Sequence, residues 1–330
     1  MYKAFFKLTR NPFDLTPDPT YFVSTRRHNE ALAALHYGIR RHKGFVVVTG
    51  EVGTGKTLLL RCLLRLLKDS RDVAYAYLFN SRLTPQEFLQ YILADFGIAA
   101  PGRNKGELLL DLGQFLVARG AKGLTTVLII DEAHHLSDDL LEEVRLLSNL
   151  ETTDDKLLQI LLVGQPELDD KLDSVHLRQL KQRISLRAQL GPLTLEETRE
   201  YIEHRLQVAG ADLQDNPIFP SDSIATVHRH ARGFPRLINT ICENALIIAY
   251  ARQLPLITPD VIEDVAREFR LETTLPDGTG SPGPREQDFD ARRAARILDD
   301  LYTALRRPGG RGAEANAPLN VETSEYEPNL

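Results

Sequence analysis

Apolar and polar positions along this chain switch between a period of two and a period near 3.6, and the order of the switches predicts an architecture. "GFVVVTG" (44–50) is a short β-branched run bounded by glycines, and "KTLLLRCLLRLL" (56–67) carries leucines around a helix, so together they read as strand, loop, helix. "DVAYAYLFN" (72–80) alternates as a second strand, helices fit 84–96 and 105–119, and "TTVLIID" (125–131) is a fully apolar third strand. After "DDLLEEVRLLSNL" as a helix, "KLLQILLVG" (156–164) and "ISLRAQL" (184–190) supply strands four and five. A helix starting near Asn29 and ending before Gly44 precedes the first strand, while Pro12, Pro17 and Pro19 keep residues 1–30 irregular. Strands alternating with helices predict an α/β fold, a parallel five-stranded sheet with helices on both faces.

From Thr194 only helical spacing remains, at 194–209, 221–231, 234–251 and 258–269, which predicts a small all-helical domain after the sheet. After about residue 272 a turn-rich linker, "TTLPDGTGSPGP", closes the folded part. Residues 286–307 place Phe289, Ile297, Leu298, Leu301 and Leu305 near one helical face, and the stretch from 308 holds one Arg against four Glu and reads as disordered. The chain thus divides into 1–30, a core at 31–191, a helical unit at 192–271 and a tail at 272–330.

Composition narrows the function classes. The 330 residues are 42% apolar and 26% charged, with no apolar run near the roughly 18 residues of a membrane span. No export leader is evident at the N-terminus, which predicts a cytoplasmic protein, at most peripheral at the inner membrane through a partner. Cys62 and Cys242 lie in apolar helical contexts without metal-ligand spacing and read as reduced core residues. The net charge of −6 argues against a generally basic nucleic-acid binder.

The chemistry sits in "GEVGTGKT". Gly50, Gly53, Gly55, Lys56 and Thr57 match G-x-x-x-x-G-K-[ST], in which backbone amides surround phosphates, Lys56 reaches the β- and γ-phosphates and Thr57 offers its hydroxyl to Mg²⁺. Glu51, Val52, Thr54 and Leu58 complete the predicted ATP-binding stretch, and the helix that follows turns its positive end toward the anion. "VLIIDEAHHL" supplies the other half: Asp131 to hold Mg²⁺ through water, Glu132 to polarise the attacking water. His134 and His135, adjacent at a helix start, are not expected to face one metal.

"FFKLTRNPFDLTPDPTYFVSTRRHNEALAAL", "GEVGTGKT", "LIIDEAHHL", "LVGQPELDDKL", "LRQLKQRI" and "GFPRLINTICENAL" together resemble the general secretion pathway protein A (ExeA-type) AAA+ ATPases over about residues 1–270. The resemblance implies an ASCE-type core with strand order 5-1-4-3-2, a helical lid at 192–271, nucleotide in the cleft between them, and "NPFDLTPDP" lining the adenine pocket. It gives Gln165 the sensor-1 position, Arg183 that of an arginine finger with Arg178 as its competitor, and Arg236 that of the sensor-2 arginine. Long members add a transmembrane segment and a peptidoglycan-binding domain. This chain resembles a shorter branch encoded with exopolysaccharide and exosortase systems, which implies a homo-oligomer serving a secretion or envelope-assembly partner. The basic clusters "RRHNE", "IRRHK" and "RQLKQR" leave a second class open, a DNA-dependent ATPase of the transposition-helper or origin-binding type.

Overall fold

The computed structural model describes residues 1–79, 83–153, 155–212 and 217–271. The helix expected at 286–307 and the acidic tail lie outside the described residues. In chain order the elements are α1 (Tyr2–Phe5), α2 (Arg26–Arg40), β1 (Phe45–Gly50), α3 (Lys56–Lys68), β2 (Val73–Leu78), α4 (Pro85–Asp95), α5 (Lys105–Gly120) and β3 (Thr125–Ile130). There follow α6 (Asp138–Leu147), β4 (Gln159–Gly164), α7 (Glu167–Leu172), α8 (Arg178–Lys181), β5 (Ile184–Leu190), α9 (Leu195–Val208), α10 (Ser221–Ala231), α11 (Pro235–Ala251) and α12 (Pro259–Glu268).

The sheet has the order β2-β3-β4-β1-β5 with every pair parallel, which is the expected 5-1-4-3-2 read from the other edge. Central strands β1, β3 and β4 are buried at every residue, because helices cover both faces, and this explains their unbroken apolar runs. Period-two alternation then sorts their side chains into two cores. Phe45, Val47, Leu128, Ile130, Ile160 and Leu162 face α4, α5 and α6. Val46, Val48, Val127, Ile129, Leu161 and Val163 face α2 and α3.

A third core belongs to the lid. Ile202, Ile224, Ile238, Leu246 and Ile262 from α9 to α12 pack there, and Tyr2, Phe6, Leu8 and Phe13 from the N-terminus join them. The irregular first residues are held to the lid by a buried cation. Arg205 donates to the carbonyls of Pro12 and Asp14 and to the Tyr201 hydroxyl, with its guanidinium 4.5 Å from the Tyr21 ring centre.

Element boundaries depart from the sequence reading where short-range hydrogen bonds intervene. Helix α2 starts at Arg26, three residues before Asn29, because Thr25 caps it by accepting the His28 N–H. Strand β4 starts at Gln159 and not at 156, since Lys156 pairs antiparallel with Glu151 in a local turn. The short helices α7 and α8 between β4 and β5 have too few turns to leave a periodic signal.

Candidate active site

All the predicted phosphate-loop residues gather at the C-terminal end of β1, where the chain leaves the sheet and enters α3. Gly53 and Gly55 have φ of 82° and 98°, values that only glycine adopts without strain. A side chain at Gly53 would also lie 2.9 Å from the Cβ of Arg236, and one at Gly55 would lie 3.1 Å from Nε2 of His28. The loop is therefore hemmed in by the lid on one side and by α2 on the other. Thr54 is fully buried and donates its hydroxyl to the Glu51 carbonyl at 2.8 Å. Lys56 turns back within the loop, its Nζ donating to the carbonyls of Gly50 (2.7 Å) and Glu51 (3.1 Å). Burial lowers its pKa, and the nearby carboxylates of Glu132 and Asp131 oppose that shift. Thr57 follows Lys56 in the first turn of α3, and Leu58 lines a small pocket beside the loop. Glu51 and Val52 are exposed at its tip.

Asp131 leaves the end of β3, two strands from β1, and is 6% exposed, low enough for burial to push its carboxyl above the usual range. Both of its oxygens are held: Oδ2 accepts from the Tyr77 hydroxyl at 2.8 Å and Oδ1 from the Glu132 amide at 2.9 Å. Sequence reading passed over Tyr77, because one tyrosine in an alternating edge strand carries no signal of its partner.

Glu132 has a left-handed backbone, φ 51° and ψ 38°, which an ordinary residue adopts at a cost of roughly 1–2 kcal/mol. That conformation ends β3 abruptly and turns the carboxylate toward β4. There Gln165, at the end of the adjacent strand, donates from Nε2 to Glu132 Oε2 at 3.4 Å, and the same nitrogen lies 3.0 Å from His134 Nε2. His134 Nδ1 is 3.4 Å from Glu132 Oε2. Burial, and then the neighbouring His135, hold the His134 pKa low. The two histidine rings are 3.9 Å apart, contrary to expectation, because residues 133–135 form a 3₁₀ turn after the left-handed residue instead of opening an α-helix.

Arg236, the second residue of α11, donates its backbone N–H to the Gly53 carbonyl at 3.3 Å, so the lid touches the phosphate loop directly. Arg183 lies elsewhere. The register pairs Ile184 with Phe45, which places Arg183 at the end of the sheet opposite the loop, about 20 Å away over the six residues of β1. Its guanidinium donates to the Ser148 hydroxyl and to the Arg145 carbonyl. Arg178, at the start of α8, is exposed and makes no side-chain hydrogen bond or ion pair among the described residues.

His28 is a second residue that sequence reading missed. Its Nε2 lies 3.0 Å from the Thr54 carbonyl, which can only accept, so Nε2 carries the proton and Nδ1 accepts from the Thr25 hydroxyl at 2.7 Å. Burial lowers its pKa and keeps the ring neutral. With Phe22, Leu58, Leu193, Tyr201 and Pro235 it lines a small pocket between loop and lid. The stretch 11–19 contributes to the lid core through Phe13, whose ring meets Phe219 edge-on at 5.9 Å.

A glycine-rich phosphate loop after one strand of a 5-1-4-3-2 parallel sheet, an acidic pair after another, and a helical lid against the loop are the features of the AAA+ class of P-loop proteins. A family model described as "AAA domain" matches residues 39–172, within the sheet core that carries the loop and the acidic pair. Within that class the chain is related to general secretion pathway protein A of Aeromonas hydrophila, with 46% identity over 253 residues, 76% of this chain and 45% of that protein. It also matches the Mu-like prophage FluMu DNA transposition protein B of Haemophilus influenzae, at 35% identity over 30% of this chain and 32% of the other. The chain spans less than half the length of these curated relatives. Among solved structures, the ORC2 protein of Aeropyrum pernix in ADPNP–ADP complexes shares the fold, with a TM-score of 0.60 at 18% identity over 78% of this chain and 71% of that one. No helix among the described residues is long and apolar enough to cross a membrane.

Proposed function

We propose that this chain binds Mg-ATP between its core and its lid, hydrolyses it, and couples the cycle to assembly with further copies of itself. The observation that carries the reading is the meeting of three elements at one place: the phosphate loop, the Asp131–Glu132 pair, and the start of α11 at Arg236, joined to Gly53. The loop suits phosphates because its positive-φ glycines leave no Cβ in the cradle and the first turn of α3 presents unpaired amides. Lys56, now on loop carbonyls, exchanges these for the more strongly accepting phosphate oxygens. Thr57 and Asp131 offer oxygen donors alone, the set that suits Mg²⁺, which supplies charge neutralisation at the β- and γ-phosphates. Glu132 takes a proton from the attacking water, with Gln165 fixing the direction of its carboxylate. Arg236 senses the γ-phosphate from the lid.

An arginine from a neighbouring subunit completes the reading. Arg183 lies too far from its own loop to serve it, as an arginine acting in trans must, and Arg178 starts the short helix α8 just before it. Arg183 has to leave Ser148 and the Arg145 carbonyl first, whereas Arg178 is exposed and has no side-chain partner among the described residues. By relation to general secretion pathway protein A, the output is work on a secretion or envelope-assembly partner.

The transposition-protein match favours a DNA-dependent ATPase as the second reading. One charge in each basic cluster is however paired with a carboxylate, Arg26 with Glu30, Arg40 with Asp72 and Lys181 with Asp173, which reduces the charge left for a phosphate-backbone surface there. Steady-state ATP hydrolysis measured against protein concentration, with and without duplex DNA, separates the two. A specific rate that rises with concentration and ignores DNA supports the assembling ATPase; a rate that jumps only with DNA, and falls steeply with salt, moves the assignment to DNA remodelling.

A further inference from the structure

We infer that Glu132, His134 and His135 form a binding site for a zinc-class divalent cation, and that the bound ion arrests ATP hydrolysis by capturing the Glu132 carboxylate. One ligand atom from each of the three residues lies within 4.8 Å of the other two. The 3.4 Å between His134 Nδ1 and Glu132 Oε2 matches the edge of a tetrahedron whose metal–ligand bonds are about 2.0–2.1 Å, the zinc geometry. The His135 ring stands beside that of His134, 3.9 Å between centres, so a modest side-chain rotation brings its nitrogen to the same point.

The backbone builds this cluster. Consecutive residues in an α-helix diverge by about 100°, but a left-handed Glu132 followed by a 3₁₀ turn folds the carboxylate back over both imidazoles. Lys171 of α7 pins the turn by donating to the carbonyls of His134 (2.8 Å) and Leu136 (2.7 Å), which keeps its cation off the ligand atoms. Two imidazole nitrogens and one carboxylate oxygen suit Zn²⁺, Ni²⁺ or Cu²⁺ and not Mg²⁺, whose oxygen-only set is Thr57 and Asp131. Three protein ligands leave the fourth position to water. Gln165 supplies the supporting contact: with its carboxamide turned over, the oxygen accepts from His134 Nε2–H, and the Nδ1 lone pair, which accepts the Gln165 backbone N–H at a long 3.3 Å, exchanges that contact for the metal. The site is open to solvent, since His135 is exposed and the Glu132 side chain is 41% exposed.

Occupancy removes from Glu132 the lone pairs that accept a proton from water and ties up Gln165 as well. The arrest therefore rests on the reading of Glu132 as general base, whereas metal binding does not. The test titrates zinc chloride alone into the full chain by calorimetry, checked by competition with a chromophoric chelator. Wild type takes up one equivalent at this site, and His135→Ala, His135→Gln and Glu132→Gln each weaken that equivalent about tenfold or more. Two His135 variants guard against one that folds poorly, with circular dichroism as the check. Zinc inhibition of Mg-ATP hydrolysis, scored against each protein's own zinc-free rate, shifts to higher zinc in the His135 variants by a matching factor. Folded variants that bind zinc as tightly as wild type overturn the site. Zinc binding through His135 with hydrolysis undiminished overturns the arrest. A wild type that never hydrolyses ATP, even without zinc, instead defeats the proposed function and leaves the calorimetry to decide the site.

Discussion

At the scale of single residues, the site depends on a few groups whose chemistry cannot be exchanged. Lys56 is the one loop side chain that carries its cation to the loop carbonyls, and Lys56→Ala is expected to weaken ATP binding at least tenfold, read from fluorescent-nucleotide titration. Glu132→Gln keeps the shape of the side chain and loses its basicity, so nucleotide should still bind while turnover falls roughly 10²–10⁴-fold. Rapid hydrolysis by Glu132→Gln would show that another group activates water. The residues in these tests were legible because G-x-x-x-x-G-K-[ST] and a strand-end acidic pair are local patterns with a local mechanism. His28 and Tyr77 were not. Each acts on a partner 26 or 54 residues away, Thr54 or Asp131, and no spacing along the chain encodes such a pair.

At the scale of elements, junctions decide how the lid sits on the core. Gly233, between α10 and α11, has φ of 76°, and a Cβ there would lie 2.1 Å from the Leu193 carbonyl oxygen. Leu193 in turn donates its N–H to the Gly233 carbonyl at 2.8 Å. Gly233→Ala therefore forces apart the strap from which α9 departs, at an expected cost of about 2–4 kcal/mol, measured as a shift in the urea midpoint together with weaker nucleotide binding. A midpoint within error of wild type would mean that the strap adjusts without cost. The neighbourhood of α8 calls for a subunit-mixing test. Arg178→Ala and Arg183→Ala subunits are each assayed alone, and whichever loses hydrolysis is mixed with Glu132→Gln subunits. Partial recovery of hydrolysis is expected for the arginine that acts in trans, and recovery with neither denies both that role, once co-assembly is verified by light scattering. Helices α7 and α8 were invisible in the sequence, since four to six residues cannot establish a helical period.

At the scale of the whole molecule, the N-terminal segment is part of the lid's stability, with Arg205 as its fastening. Arg205 is 4% exposed and its acceptors are carbonyl and hydroxyl oxygens. Removing it strands those acceptors, and Arg205→Ala should cost roughly 2–4 kcal/mol in thermal or urea unfolding. The pH dependence follows from burial. His28, His134 and His228 are all held below the ordinary histidine range by desolvation. The unfolded chain therefore takes up protons first as pH falls. Their contribution to stability is full above about pH 6.5 and is lost progressively below it, until the folded forms protonate too. Asp131 and Glu243, pushed up by burial, act in the opposite sense, but only nearer the carboxylate range. The urea midpoint should drop between pH 7.5 and 5.5, and His28→Gln should flatten that drop; an unchanged slope would remove His28 from the account.

The sequence alone determined the order of the strands and the longer helices, the parallel α/β class, the helical lid, the phosphate loop and the acidic pair, because periodicity and short motifs are properties of neighbouring residues. Tertiary structure decided what depends on distant segments meeting. It folded residues 2–13 into the lid core, because burying Tyr2, Phe6 and Phe13 requires the apolar face that α9 to α12 leave open. It brought Arg236 to Gly53, because the strap at Leu193 and Gly233 directs α11 back over the loop. It also turned two histidines that looked divergent into neighbours of Glu132, since one left-handed residue changes the direction of everything after it and only the packing of α7 and β4 holds it there.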